Sequence, residues 1–215
     1  MNVKNVCYVF GAGNHYGEPS VSDSDALVIA ADGGYSYLAK HGLRVHRIVG
    51  DMDSLQDPPK DIPITKLPKE KDDTDMAAAV RYGMEAGYRV FCLYGGTGGR
   101  IDHTLANVQL LSDLARKGAR GFLFDQYNVI TAIHNSFISF PDTAAGYISV
   151  FAHSDSVVGV NERGLKYSIH NATLRNTCPI GISNEFVGRA GVVSVREGTL
   201  IVVYPADAHK NDFCM

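Results

Sequence analysis

Two aspartates lie two residues apart in the stretch Arg47 to Leu55, where the apolar run Ile48-Val49 ends in Gly50 and then Asp51-Met52-Asp53-Ser54. Charges set directly after a buried-type strand need partners. A spacing of two puts both carboxylates on one side of an extended segment. At roughly 5 Å and an effective dielectric of about 20, their repulsion costs ~3 kcal/mol. A divalent cation is the simplest counter-charge, so the pair is read first as a metal site. A solvated acidic turn, with Ser54 capping the next segment, is the ordinary alternative.

Three other apolar runs end in the same kind of cluster. Leu27 to Ala31 leads into Asp32-Gly33-Gly34, and Ile64 to Leu67 leads through Lys69-Glu70 into Lys71-Asp72-Asp73-Thr74-Asp75. Arg89 to Tyr94 leads into Gly95-Gly96-Thr97-Gly98-Gly99-Arg100-Ile101-Asp102-His103. Four glycines in the five residues 95–99 let backbone N–H groups surround an anion, and Arg100 adds a fork suited to phosphate. No Gly-Lys-Ser/Thr ends the loop, so it is not a Walker A loop. Each acid also has a structural reading: Asp32 can cap the next helix, and Asp72 or Asp73 the one after. His103 and Asn107 share a helix face, for structure or for chemistry. Gly11-Ala12-Gly13, after the first strand, is a weaker phosphate signal, because it lacks the spacing of a dinucleotide fingerprint.

These clusters need elements to hold them. Strands are expected at Val6 to Phe10, Ala26 to Ala31, His46 to Val49, Ile64 to Leu67, Arg89 to Tyr94 and Gly121 to Phe124. Helices are expected at Tyr35 to His41, Met76 to Ala86 and Thr104 to Lys117. Strands alternating with helices imply an open, mostly parallel sheet, whose ligands bind beyond the carboxyl ends of the strands. All four clusters would then share one edge. After Lys117 no further helix is read. Asn128 to His134, Ser136 to Phe140, Tyr147 to Ala152, Val157 to Asn161, Leu165 to Ile169, Val192 to Val195 and Leu200 to Tyr204 read as short strands. Arg196 to Thr199 reads as a hairpin turn. The fold class is therefore a Rossmann-like α/β domain, residues 1–127, followed by an all-β sandwich or barrel, residues 128–215.

Composition sets the wider limits. The chain has 215 residues, 45% hydrophobic and 20% charged, with net charge −3. That supports an ordinary globular core and argues against nucleic acid as a partner. No leader or bilayer-spanning run is read, so a cytoplasmic protein is expected. Cys7, Cys92, Cys178 and Cys214 form no CxxC pair and read as reduced thiols.

The ordered motifs D-G-G, G-D-x-D-S, K-D-x-T-D and G-G-x-G-G-R-x-D-H, followed by Ser183-Asn184, resemble the thiamine pyrophosphokinase family, bacterial type, over essentially the whole chain. The resemblance implies transfer of a diphosphoryl group from ATP to the thiamine hydroxyl, giving thiamine diphosphate and AMP. It implies Mg²⁺, with Asp51, Asp53 and Asp75 as its ligands, and Asp32, Lys71 and Asp72 beside the phosphates. Gly96, Gly98, Gly99 and Arg100 are implied as phosphate contacts. Asp102, His103, Ser183 and Asn184 are implied in substrate binding, as are Gly33, Gly34 and Thr74 within their motifs. It further implies a homodimer whose active sites lie between the α/β half of one chain and the β half of the other. Animal and fungal members stack a tryptophan on thiamine near the S-N element. This chain has no Trp, and Phe186 is the candidate replacement. Two rivals stay open on the residues alone: a two-metal phosphoesterase, and a catalytically silent nucleotide sensor.

Overall fold

A computed structural model describes residues 6–17, 21, 26–52, 59–68 and 72–209. They form two compact units, one within Met1–Asn107 together with Leu123–Gln126, the other Val108–Phe122 with Tyr127–Phe213. The fold is α/β followed by a β-sandwich.

The first unit is built on a parallel sheet of β1 (Val6–Phe10), β2 (Leu27–Ala31), β3 (Arg47–Gly50), β4 (Ile64–Lys66) and β5 (Val90–Tyr94), in the order β5-β1-β2-β3-β4. β1 is buried along its whole length, as its unbroken apolar run requires of a strand covered on both faces. Helix α1 (Gly34–Lys40) lies between β2 and β3 in sequence, and α2 (Asp75–Glu85) between β4 and β5. α2 turns Met76, Ala79, Val80 and Gly83 inward, the three- and four-residue spacing of a single helix face, and packs on β1, β2 and β3. Glycine at 83 lets it close on the sheet: a Cβ there would stand 2.7 Å from the Phe91 ring and 2.9 Å from Cys7 Sγ. Helix α3 (Ile101–Arg116) follows β5.

Among the described residues, every regular element from strand β6 (Arg120–Phe124) onward is a strand, apart from one 3₁₀ turn, Ala206–His209. The second unit holds two antiparallel arrangements. One orders β12 (Asn184–Glu185), β9 (Tyr147–Ala152), β14 (Thr199–Pro205) and β7 (Asn128–His134). The other orders β11 (Ile169–Arg175), β10 (Ser156–Arg163), β13 (Gly191–Ser194) and β8 (Phe137–Phe140). Phe140 of the second meets the Tyr204 ring of the first edge-on at 5.0 Å, inside the sandwich.

Three sequence expectations are corrected by the fold. No strand runs from Leu165 to Ile169; Leu165 makes one isolated bridge to Phe186, and the strand begins at Ile169. Leu165 is drawn fully into the core, and of β11 only Leu174 is buried, so that strand lacks an apolar signature. Arg196 to Thr199 closes no hairpin: β13 and β14 pair in different sheets, and the segment carries the chain from one to the other. Its backbone is tied to β10 instead, with the N–H groups of Arg196 and Glu197 both donating to Val158 O. Finally, neither Asp72 nor Asp73 caps α2. Thr74 does, in extended conformation, its hydroxyl accepting from Ala77 N at 3.1 Å.

Candidate active site

The strand order β5-β1-β2-β3 sets the ends of these strands side by side, so Gly95, Gly11, Asp32 and Asp51 emerge along one edge. The chain order reverses at β1, the place where open α/β sheets form a crevice. A crevice of about 750 Å³ lies there. Asp32, Asp51, Asp73, Thr74, Asp75, the whole run from Gly95 to Arg100, and His103 line it. Gly11, Ala12, Gly13 and Asn14 complete its wall. Gly33, Gly34, Asp72 and Asp102 are not among its lining residues. Asp53 and Lys71 lie outside the described residues.

The first wall explains the glycines after β1. Gly11 N, Gly13 N and Asn14 N donate to Tyr94 O, Gly95 O and Thr97 O at 2.8, 2.8 and 3.1 Å. The segment is a backbone splint on the glycine loop. A Cβ at Gly13 would lie 2.6 Å from Gly95 O and 2.8 Å from Thr97 O, so glycine serves chain packing there. The far end of this segment is also fixed. His15 Nε2–H donates to Gly11 O at 2.8 Å, and the imidazole stacks on Tyr37 at 3.8 Å, nearly parallel. Tyr37 donates its hydroxyl to Gly17 O at 2.8 Å. Burial lowers the His15 pKa, which keeps the ring neutral in this role.

The loop itself is braced from below. Asn107, buried in α3, donates its amide to Gly96 O at 2.8 Å, and Thr97 donates its hydroxyl to Asp125 Oδ1 at 2.7 Å. The glycines have separate duties. A Cβ at Gly96 would strike Leu123 and Asn107, and one at Gly98 would lie 2.4 Å from Asn14 Nδ2. Gly99, at φ +68°, faces open space. The sequence marks Asn107 together with His103 by their shared helix face, but gives no signal for Asn14 or Asp125 as site residues.

The acids arrive by different routes. Asp32 does not cap α1; Gly33 occupies the cap position without a side-chain bond. Asp32 instead takes a left-handed φ of 49°, at the point where Gly50 of the neighbouring strand comes within 3.1 Å of it, measured from an added Cβ. Gly34 is a packing residue, since a Cβ there would lie 1.9 Å from Phe10 O. Met52 has φ +69°, so the chain is not extended between Asp51 and Asp53, and the same-side argument for the pair fails at that residue. Asp73, just before α2, accepts a 2.5 Å hydrogen bond from Arg81 within that helix. Arg100 makes a two-pronged pair with exposed Asp102, at 2.5 and 3.2 Å. That hydrogen bond is the main reason the Asp102 pKa is lowered. Among the described residues, no three metal-ligating side chains already form a cluster. The carboxylates of Asp32, Asp51 and Asp75 nonetheless give one crevice the hard oxygen donors a divalent cation takes.

In the second unit, Ser183 and Asn184 part company. Ser183 is exposed at φ +58°, its N–H donating to Ser149 Oγ at 3.0 Å. Asn184 is buried. Phe186, the candidate replacement for the stacking tryptophan, is buried and packs against Phe140 at 5.1 Å. Among the described residues of this unit, Tyr127, Phe137, Tyr147 and Tyr167 are exposed aromatics.

Fold and crevice define a class first: an α/β unit with a glycine-rich loop and acids gathered at its strand ends, followed in sequence by an antiparallel β-sandwich. Comparison with known proteins narrows it. The thiamin pyrophosphokinase catalytic-domain model matches residues 19–123, and the vitamin B1 binding-domain model of the same enzyme matches residues 137–200. The thiamine pyrophosphokinase of Bacillus subtilis is 28% identical over 193 residues, covering 86% of this chain and 90% of that one. A crystal structure of the B. subtilis enzyme superposes with a TM-score of 0.84 at 27% identity, over 95% of this chain and all of the other. The yeast enzyme, 16% identical with a TM-score of 0.73 over 95% of this chain and 88% of that one, shares the fold. The chain belongs to the thiamin pyrophosphokinase family. Its activity is thiamine diphosphokinase, an ATP-dependent transferase of a kind that generally needs a divalent metal.

Proposed function

We propose that the crevice at the strand ends binds ATP with Mg²⁺ and passes its terminal diphosphoryl group to thiamine. The hydroxyl oxygen of thiamine bonds to the β-phosphorus, the bond from that phosphorus to the α-bridging oxygen breaks, and AMP leaves as the hydroxyl gives up its proton. The observation that carries this reading is the gathering of Asp32, Asp51, Asp75, the Gly95–Gly99 loop and Arg100 around one crevice. Asp51 and Asp75, with Asp53 of the same motif, would hold Mg²⁺, which when bound offsets the charge of the phosphate oxygens and of the leaving AMP. Backbone N–H groups of the glycine loop and the Arg100 guanidinium receive the transferring group. Asp32, Lys71 and Asp72 support the phosphate end. Asp102, His103 and the Ser183-Asn184 element serve thiamine.

The division of labour follows the chain: residues 1–127 are the catalytic domain, and 128–215 carry thiamine recognition and dimerisation. The working form is a cytoplasmic homodimer with each active site between two subunits. The test is a product assay with Mg·ATP, with and without thiamine. AMP and thiamine diphosphate appear together, and only with thiamine. Asp51→Asn and Asp75→Asn each lower kcat by roughly a hundredfold or more, the scale of losing one charge-stabilising group. Release of ADP, or of phosphate without thiamine, would sink the reading.

A further inference from the structure

Glu162 lies in the middle of the four-stranded sheet, between Ile169 of β11 and Val193 of β13, and is 1% exposed. A buried carboxylate in a sandwich core is costly and demands an account. Its Oε2 accepts from Asn184 Nδ2 at 2.5 Å, while its Oε1 has no hydrogen-bond partner. Asn184 in turn uses everything it has. Its amide nitrogen also donates to Tyr167 O at 2.7 Å, and its oxygen accepts from Tyr167 N at 3.0 Å and Glu185 N at 2.9 Å. Two backbone N–H groups fix which way the amide faces, so its nitrogen must point at Glu162. Two donors and two acceptors are the full capacity of an asparagine, and none remains for a ligand.

The consequence falls on the neighbours. Asn184 joins three segments: β10 through Glu162, the stretch after β10 through both backbone groups of Tyr167, and β12 through Glu185. Lys166 and Glu185 close the same junction from outside, with an ion pair at 2.6 Å. Exposed Ser183 sits one residue before the junction in a strained left-handed conformation, which persists only where surrounding bonds hold it. We propose that Glu162 is a positioning residue for thiamine. It holds the Asn184 amide as a buried clamp, and the clamp presents Ser183 to the substrate without itself touching it. This rests on the reading that the Ser183 segment faces thiamine.

The experiment exchanges the two ends of the clamp and reads KM for thiamine against KM for ATP and kcat. Asn184→Asp sets a second carboxylate against Glu162 and removes both amide donors, and is expected to raise KM for thiamine roughly tenfold while KM for ATP holds. The double variant E162Q/N184D restores a donor–acceptor pair with the roles reversed, and is expected to recover most of that loss. Glu162→Gln alone, which can still accept from Asn184, stays within about twofold of the native protein, whereas Glu162→Ala does not. If N184D does not fold, the contrast of E162A with E162Q carries the decision. Ser183→Ala separates the layers. If S183A raises KM for thiamine but neither the double variant nor Gln at 162 rescues, the clamp is wrong and the thiamine reading stands. If S183A has no effect on it, the reading falls and the clamp with it.

Discussion

Thr74 takes the N-cap of α2 from two neighbouring acids, and that choice leaves Asp73 and Asp75 facing the crevice. Thr74→Ala should therefore lower stability by about 1 kcal/mol, read as a lower urea midpoint. A variant as stable as the native chain would remove Thr74 from that role. Glu162 makes a different prediction. Burial raises its pKa, against the downward pull of the Asn184 hydrogen bond. The folded chain thus holds the proton more tightly than the unfolded one. Stability from this group is complete below the ordinary value of 4.5 and is lost as pH rises through the folded-state value. Glu162→Gln, which has no charge to bury, should gain in Tm over the native protein as pH climbs from about 4 to about 8. A gap that does not change with pH counts against a raised pKa at Glu162. No sequence pattern announces this residue, because a lone Glu in a strand-like run reads as a surface position.

Elements are legible where burial alternates or runs unbroken. β7 and β9 can be read to the residue, and β1 likewise, since their apolar patterns match their surroundings. β11 cannot, because its side chains are mostly exposed. Nor can the destination of residues 196–199, because pairing partners are chosen by the whole sandwich. The four clusters converge as the α/β pattern requires, so the crevice is legible. The splint that Gly11 to Asn14 lays on the glycine loop is not: it depends on β1 lying beside β5. Substitutions in the loop should divide accordingly. Gly98→Ala drives a methyl into Asn14 and disturbs the splint. Gly99→Ala meets nothing within 4 Å and bears only the strain of its positive φ, on the order of 1 kcal/mol. Thermal melts should place G98A well below G99A. Equal losses would mean that the contact with Asn14 is not rigid.

The whole molecule adds a question of assembly. Asp51 and Ser183 fall in different compact units. If each active site draws on two chains, sedimentation should give twice the 23.3 kDa of one chain. At thiamine concentrations far below the KM of S183A, mixing inactive D51N with S183A should then raise activity above that of either variant alone, because a mixed dimer keeps one site free of both changes. With random pairing the recovery approaches about a quarter of the native rate. No recovery from subunits shown to exchange would put each site within a single chain. The backbone splint carries a last implication, for the energetics of nucleotide capture. The amide protons of Gly11, Gly13 and Asn14 are already engaged before any phosphate arrives. Their hydrogen exchange should be slow in the empty protein and nearly unchanged on adding ATP. A cradle formed in advance loses little conformational entropy on filling. Calorimetry should accordingly find only a small entropic penalty when the nucleotide binds, and large ATP-dependent protection at these three amides would show that the cradle folds around its ligand instead.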